Sequence, residues 1–163
     1  MNSKDAIKYA IGMGDMITQA YLGDMTDAEL MQRPVPGINH VFWQLGHLIH
    51  SENQMIEAVC PNSMPKLPEG FGVQHSKESS SSDDPAKFLK KGDYLKLMAE
   101  QRAGTLKALD SLSDADLSQP SPERMQGYAK TVGEVFAMQG MHWTMHTGQW
   151  AVLRRKLGRP PLF

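Results

Sequence analysis

The chain of 163 residues has a single cysteine, Cys60. It can form no internal disulfide and no cysteine-rich zinc site. Followed by Pro61, Cys60 reads as a small apolar residue at a helix end. An excess of one charge is also lacking: 17 Lys and Arg against 18 Asp and Glu leave a formal net charge of −1. That balance supplies no electrostatic reason to expect nucleic acid or an anionic membrane as partner. No apolar run approaches the ~20 residues of a membrane span. The start, Met1-Asn2-Ser3-Lys4-Asp5, mixes charge with helix formers and does not resemble a signal peptide, so a cytoplasmic location is expected.

The remaining composition is that of an ordinary globular protein, 40% hydrophobic and 21% charged, and a single domain over residues 1–163 is expected. Twelve methionines are the one excess. Met fills irregular gaps, so a Met-rich core is the first expectation and an adaptable pocket or interface the second.

Apolar residues recur at helical spacing over 4–22, at Ile7, Ala10, Ile11, Met13, Ile17, Ala20 and Tyr21, and Gly23 offers a stop. A capping box, Thr26 to Glu29, then predicts a short helical turn, broken by Pro34, Pro36 and Gly37. A second long helix is predicted from a cap at Asn39 to Val59, with Val41, Leu45, Leu48, Ile56 and Val59 as its apolar arc. Glu52 lies in the middle of that arc, where a carboxylate must be paired, hydrogen-bonded or functional. His47 points roughly 140° away, beside Trp43, His50 and Gln54. Residues 61–92 read as a long irregular connection, either a lid or a crossover spanning a bundle, with a solvated serine run at 79–82. A third helix spans about 93–111, capped by Asp93. Ser113-Asp114-Ala115-Asp116-Leu117 then echoes Thr26-Asp27-Ala28-Glu29-Leu30, which suggests two hairpins of related design. The fourth helix is predicted to open with a second capping box, Thr131 to Glu134, and to run to about Leu157, where Arg154, Arg155 and Lys156 suit the dipole and Gly158 ends it. Four long helices without a strand pattern predict an all-α four-helix bundle.

The chemistry concentrates in the fourth helix, in His142-Trp143-Thr144-Met145-His146. Two histidines four residues apart lie about 40° apart around a helix, one turn above the other. The arc of Val135, Met138, Met145, Val152 and Leu153 turns the pair inward, with Trp143 and Trp150 expected on another side. Each inward imidazole brings a nitrogen that needs a partner, and one metal ion satisfies both. A third ligand is needed. Among His40, His47, His50 and His75, His47 is favoured by its rigid mid-helix position, and His75, in the irregular connection, is the weakest. Three neutral imidazoles leave coordination positions open and suit zinc, nickel or iron. Position 143 is Trp, which excludes the His-Glu-x-x-His motif, and no Glu has a His three residues on, which excludes the di-iron bundle pattern. No phosphate-binding loop or nucleophile elbow is present. Gln149 and Gln54 are candidate substrate-binding residues; no catalytic side chain stands out.

Gly37-Ile38-Asn39-His40, Trp43-Gln44-Leu45-Gly46-His47-Leu48, His142-x-x-x-His146-x-Gly148-Gln149 and the closing Leu153-Arg154-Arg155-Lys156-Leu157-Gly158-Arg159-Pro160 resemble the DinB-like superfamily. The resemblance implies a DinB/YfiT-like four-helix bundle with long crossover connections, often a homodimer. It also implies a divalent metal held by His47, His142 and His146. Characterised members of that superfamily include thiol-dependent S-transferases and a mycothiol-dependent isomerase. The expected function is therefore a metal-dependent enzyme, a thiol S-transferase or hydrolase, acting on a small electrophile with a low-molecular-weight thiol or water. The alternative is a non-catalytic, stress-associated or small-ligand-binding helical dimer with a structural metal or none.

Overall fold

The computed structural model describes residues 1–163, all helices and loops. The elements are α1 (Ser3–Gly23), α2 (Asp27–Leu30), α3 (Val41–Val59), α4 (Phe71–Gln74), α5 (Lys91–Ser111), α6 (Asp114–Leu117) and α7 (Val132–Lys156), with three 3-10 turns. The four long helices form the bundle. None is long and apolar enough to cross a membrane.

Pair contacts set the helix directions. Ala10 and Gly14 meet Gly140 at one level, and Asp24 pairs with Arg154 further along, so α1 and α7 run parallel. Phe42 stacks on Tyr94 and Glu52 pairs with Arg102, so α3 and α5 are parallel too. Gln44 meets His146 while Glu52 meets Trp143, so α3 and α7 are antiparallel. The order is up, down, down, up. Two consecutive parallel helices need a connection that returns along the bundle, which is why residues 60–90 are so long. The α1–α7 contact is close because both helices carry glycine there: a Cβ at Gly14 would stand 2.9 Å from the Gly140 carbonyl oxygen.

The two short helices each form the expected capping box, Thr26 with Glu29 and Ser113 with Asp116. Three caps differ from expectation. At α7 only half of the box forms: Thr131 Oγ1 accepts from the Glu134 amide at 3.2 Å, while the Glu134 carboxylate accepts from the Lys130 amide. His40, not Asn39, caps α3, its Nδ1 accepting from the Trp43 amide at 3.1 Å. An imidazole nitrogen serves as well as an amide oxygen there, and histidine is easily overlooked as a cap. Helix α5 starts earlier, after Lys90, which makes no side-chain cap bond; Asp93 sits in its first turn instead.

The core falls into two apolar clusters, one around Trp43, Tyr94, Trp143 and Trp150 and one around Ile11, Ile56, Leu109 and Phe136. Between them lies a polar layer with members from all four long helices: Asp15, Thr18, Glu52, Arg102, Thr105 and Gln139. Here the expectation for Glu52 is met by pairing. Its Oε1 accepts from Arg102 at 2.8 Å and Thr105 at 2.6 Å, and its Oε2 from the Trp143 indole at 3.0 Å. Arg102 also reaches Asp15 at 3.0 Å. Burial still pushes the Glu52 carboxyl above its ordinary range, with Arg102 pulling the other way.

The inward face of α7 departs from the expected arc. Trp143 and Trp150 are fully buried, whereas Met145 is 62% exposed and Val152 is exposed as well. The helix carries apolar residues on every side, so periodicity alone could not choose the face. Methionine is mostly peripheral: only Met25, Met98 and Met125 are buried, and Met13, Met16, Met141 and Met145 are exposed on α1 and α7.

The crossover is a fastened strap, not a solvated tether. Trp43 Nε1 donates to Ser76 O and Ser79 Oγ, and His40 Nε2 meets Ser82 O at 3.1 Å. Arg33 donates to Asp83 and to Ser80 O. Phe71, His75 and Phe88 are buried beneath it. The serine run is thus held through the backbone carbonyls of Ser80 and Ser82 and the Ser79 hydroxyl, a feature that side-chain composition does not reveal.

Candidate metal centre

Helices α3 and α7 bring His47, His142 and His146 together. One ring nitrogen of each lies within 4.8 Å of the other two. Ring centroids are 5.1 Å apart for His142 and His146, 5.4 Å for His47 and His142, and 5.5 Å for His47 and His146. Nitrogen–zinc bonds of about 2.0–2.1 Å place tetrahedral ligands ~3.4 Å apart, so this cluster has the scale of a site for one ion. His47 is half-buried on α3, the helix whose Gln44 and Glu52 contact His146 and Trp143 of α7.

Burial lowers the pKa of His47 and pushes His142 and His146 down to about 4, with the neighbouring imidazoles acting in the same direction. All three are neutral at pH 7, the state in which imidazole offers a lone pair. The donor set, three neutral nitrogens without a carboxylate or thiolate, fits zinc, nickel or ferrous iron.

Two consecutive residues of α3 orient two of the ligands. Trp43 stacks on His47, with centroids 5.2 Å apart and planes 6° from parallel. Gln44, 1% exposed, places its Oε1 2.9 Å from His146 Nδ1. The helical spacing places Trp43 on the His47 side of α3, whereas Gln44 enters the sequence reading only within the family resemblance; their positions four and three residues before His47 are the signal for both.

The other histidines stand apart. His75 is buried, with Nδ1 2.8 Å from Phe71 O and Nε2 2.6 Å from the Tyr94 hydroxyl. Its ring fills the space above Gly46, where a Cβ would collide with it. It is a core residue of the strap, with no nitrogen left for a metal. His40 uses both nitrogens in the α3 cap and the strap. His50 packs on Gly72. Gln149 is half-buried on α7, one turn past His146. Gln54 is exposed and shares a shallow concavity with Asn53, Glu57, Ala58 and Arg124. Glu52 has both oxygens engaged in the polar layer and is not a free base at the histidines.

No curated protein matches the chain. In overall fold it is similar to a crystal structure described as a conserved protein of a locus from Enterococcus faecalis, with a TM-score of 0.64, 20% identity and 96% of each chain covered. Residues 14–150, which contain all three histidines, the whole of α3 and α5, most of α7 and the C-terminal part of α1, match the DinB superfamily, and the chain belongs to that superfamily.

Proposed function

We propose that His47, His142 and His146 hold one divalent metal and that the protein is a metal-dependent enzyme acting on a small electrophilic molecule. The observation that carries this reading is the convergence of three neutral imidazole nitrogens within 4.8 Å. Three protein ligands leave room for a further one, the arrangement associated with catalysis. A metal held there supplies Lewis acidity and lowers the pKa of a bound water or thiol. The chain itself provides the neutral ligands, the Trp43 and Gln44 contacts that orient them, and the packed indoles of Trp143 and Trp150 behind them. The reaction class that fits is transfer of a low-molecular-weight thiol, or of water, to an electrophilic carbon, with Gln149 as a substrate-binding residue and Gln54 as a more distant one. Family membership supports the metal and leaves the thiol open.

The test is metal analysis of the purified protein and of His146→Ala, followed by turnover of thiol and electrophile pairs. One ion per chain, lost in the variant, supports the reading; equal metal in both proteins removes it. A homodimer is part of the same proposal. The exposed side chains Met13 and Met16 on α1, with Met141 and Met145 on α7, offer a face for a second copy. Sedimentation of a Met13→Glu, Met141→Glu double variant tests it: a monomer is expected, and an unchanged dimer excludes this face.

A further inference from the structure

We propose that Gln44 is a positioning residue that fixes His146 in the tautomer able to bind metal through Nε2. The inference rests on the metal reading above and adds a residue to it. The side-chain amide of Gln44 makes three contacts. Its Nε2 donates to the Asn39 carbonyl, its Oε1 accepts from Trp150 Nε1 at 2.9 Å, and the same Oε1 lies 2.9 Å from His146 Nδ1.

The chemistry at both ends determines the direction of the amide. A carbonyl only accepts, so the group facing Asn39 is the amide nitrogen. An indole N–H only donates, so the group facing Trp150 is the oxygen. That oxygen can then only accept from His146, and Nδ1 must carry the hydrogen. A neutral imidazole has one N–H, which leaves the lone pair on Nε2. The tautomer thus follows from two groups whose roles cannot reverse.

The clamp also limits ring tilt. His146 and Trp150 are one turn apart on α7, and a single buried oxygen bonds both. Gln44 therefore ties two successive turns of α7 to α3, three residues before His47. Orienting partners of this kind typically change metal affinity by about 10- to 100-fold when removed. A role as helix clamp alone would leave the tautomer and the affinity in place.

The experiment is long-range 1H–15N NMR of the metal-free protein together with cobalt(II) titration. It uses wild type, Gln44→Glu, which keeps the acceptor, and Gln44→Met, which removes it. We expect His146 in the Nδ1–H form in wild type and Gln44→Glu. In Gln44→Met we expect a shift toward Nε2–H and a cobalt dissociation constant about 10- to 100-fold weaker, with the His47 and His142 tautomers unchanged. Gln44→Asn, whose shorter amide withdraws the acceptor, takes the place of Gln44→Met if that variant does not fold. An unchanged His146 tautomer in the acceptor-removing variant overturns the proposal. So does a changed tautomer with unchanged cobalt affinity, or an equal loss of affinity in Gln44→Glu. Wild-type protein that takes up no cobalt overturns the metal reading and the purpose assigned to Gln44, while the tautomer measurement still decides separately whether Gln44 fixes the ring.

Discussion

His75 and His146 are both buried imidazoles pressed against α3, and burial pushes the pKa of each down to about 4. They differ in the second nitrogen. His75 spends one on Phe71 O and the other on the Tyr94 hydroxyl. His146 spends Nδ1 on Gln44 and belongs, with His47 and His142, to a cluster in which one ring nitrogen of each lies within 4.8 Å of the others. A buried histidine with both nitrogens engaged is part of the packing; one that keeps a nitrogen unbonded beside two other imidazoles is part of a site. Burial and pKa do not separate the two cases, and hydrogen-bond accounting does.

Substitutions can break this comparison. The largest expected effect is on metal content: His47→Ala, His142→Ala and His146→Ala should each lower bound metal by at least about 10-fold, whereas His75→Ala should retain it. Metal analysis after dialysis decides, and a His75→Ala protein that also loses its ion would erase the distinction.

Next is stability. His75→Ala should cost the metal-free protein about 2–4 kcal/mol, because it opens a void over Gly46 and leaves the Phe71 carbonyl without its partner. His146→Ala should cost roughly half as much, since Gln44 Oε1 keeps its bond from Trp150. Urea unfolding measures both. Added metal should stabilise wild type by about 2.7 kcal/mol at 100 times its dissociation constant, and leave His146→Ala unmoved.

A third effect is in pH. The folded pKa of His75 is about 4, below the ordinary histidine value near 6.5, so the unfolded chain takes up the proton first. The contribution is fully present above about 6.5, declines as pH falls toward 4, and levels off below that. Its slope is at most about 1.4 kcal/mol per pH unit for this histidine. His75→Gln should lower the slope of the unfolding profile of the metal-free protein between pH 4 and 6.5, the remainder belonging to the other buried histidines, and an unchanged slope would show that His75 does not contribute.

The smallest effects belong to the glutamines. Gln149→Ala and Gln54→Ala should leave metal affinity within about twofold, as neither is the hydrogen-bonded partner of a ligand; a KM change confined to Gln149→Ala would place substrate on the α7 side.

Much of this molecule is legible without coordinates. The long helices lie within two residues of their expected bounds, because glycine stops and capping boxes are local chemistry. The buried carboxylate of Glu52 was marked by its place in an apolar arc, and its partners Arg102, Thr105 and Trp143 were not, since they come from other helices. Periodicity misjudged α7, where the indoles rather than Met145 and Val152 face the core. The serine run looked solvated because its bonds to Arg33, Trp43 and His40 use backbone oxygens as well as one hydroxyl.

Local physics, written in the order of residues, determined four helices, their ends, and two histidines one turn apart on α7. Tertiary structure decided what lies across from that pair. It set α3 antiparallel to α7, brought His47 level with His142 and His146, and gave His146 its amide partner. It also buried His75 in packing and spared His47 from it. That choice depends on which nitrogens find partners from elements distant in the chain, and no spacing within a single helix contains it.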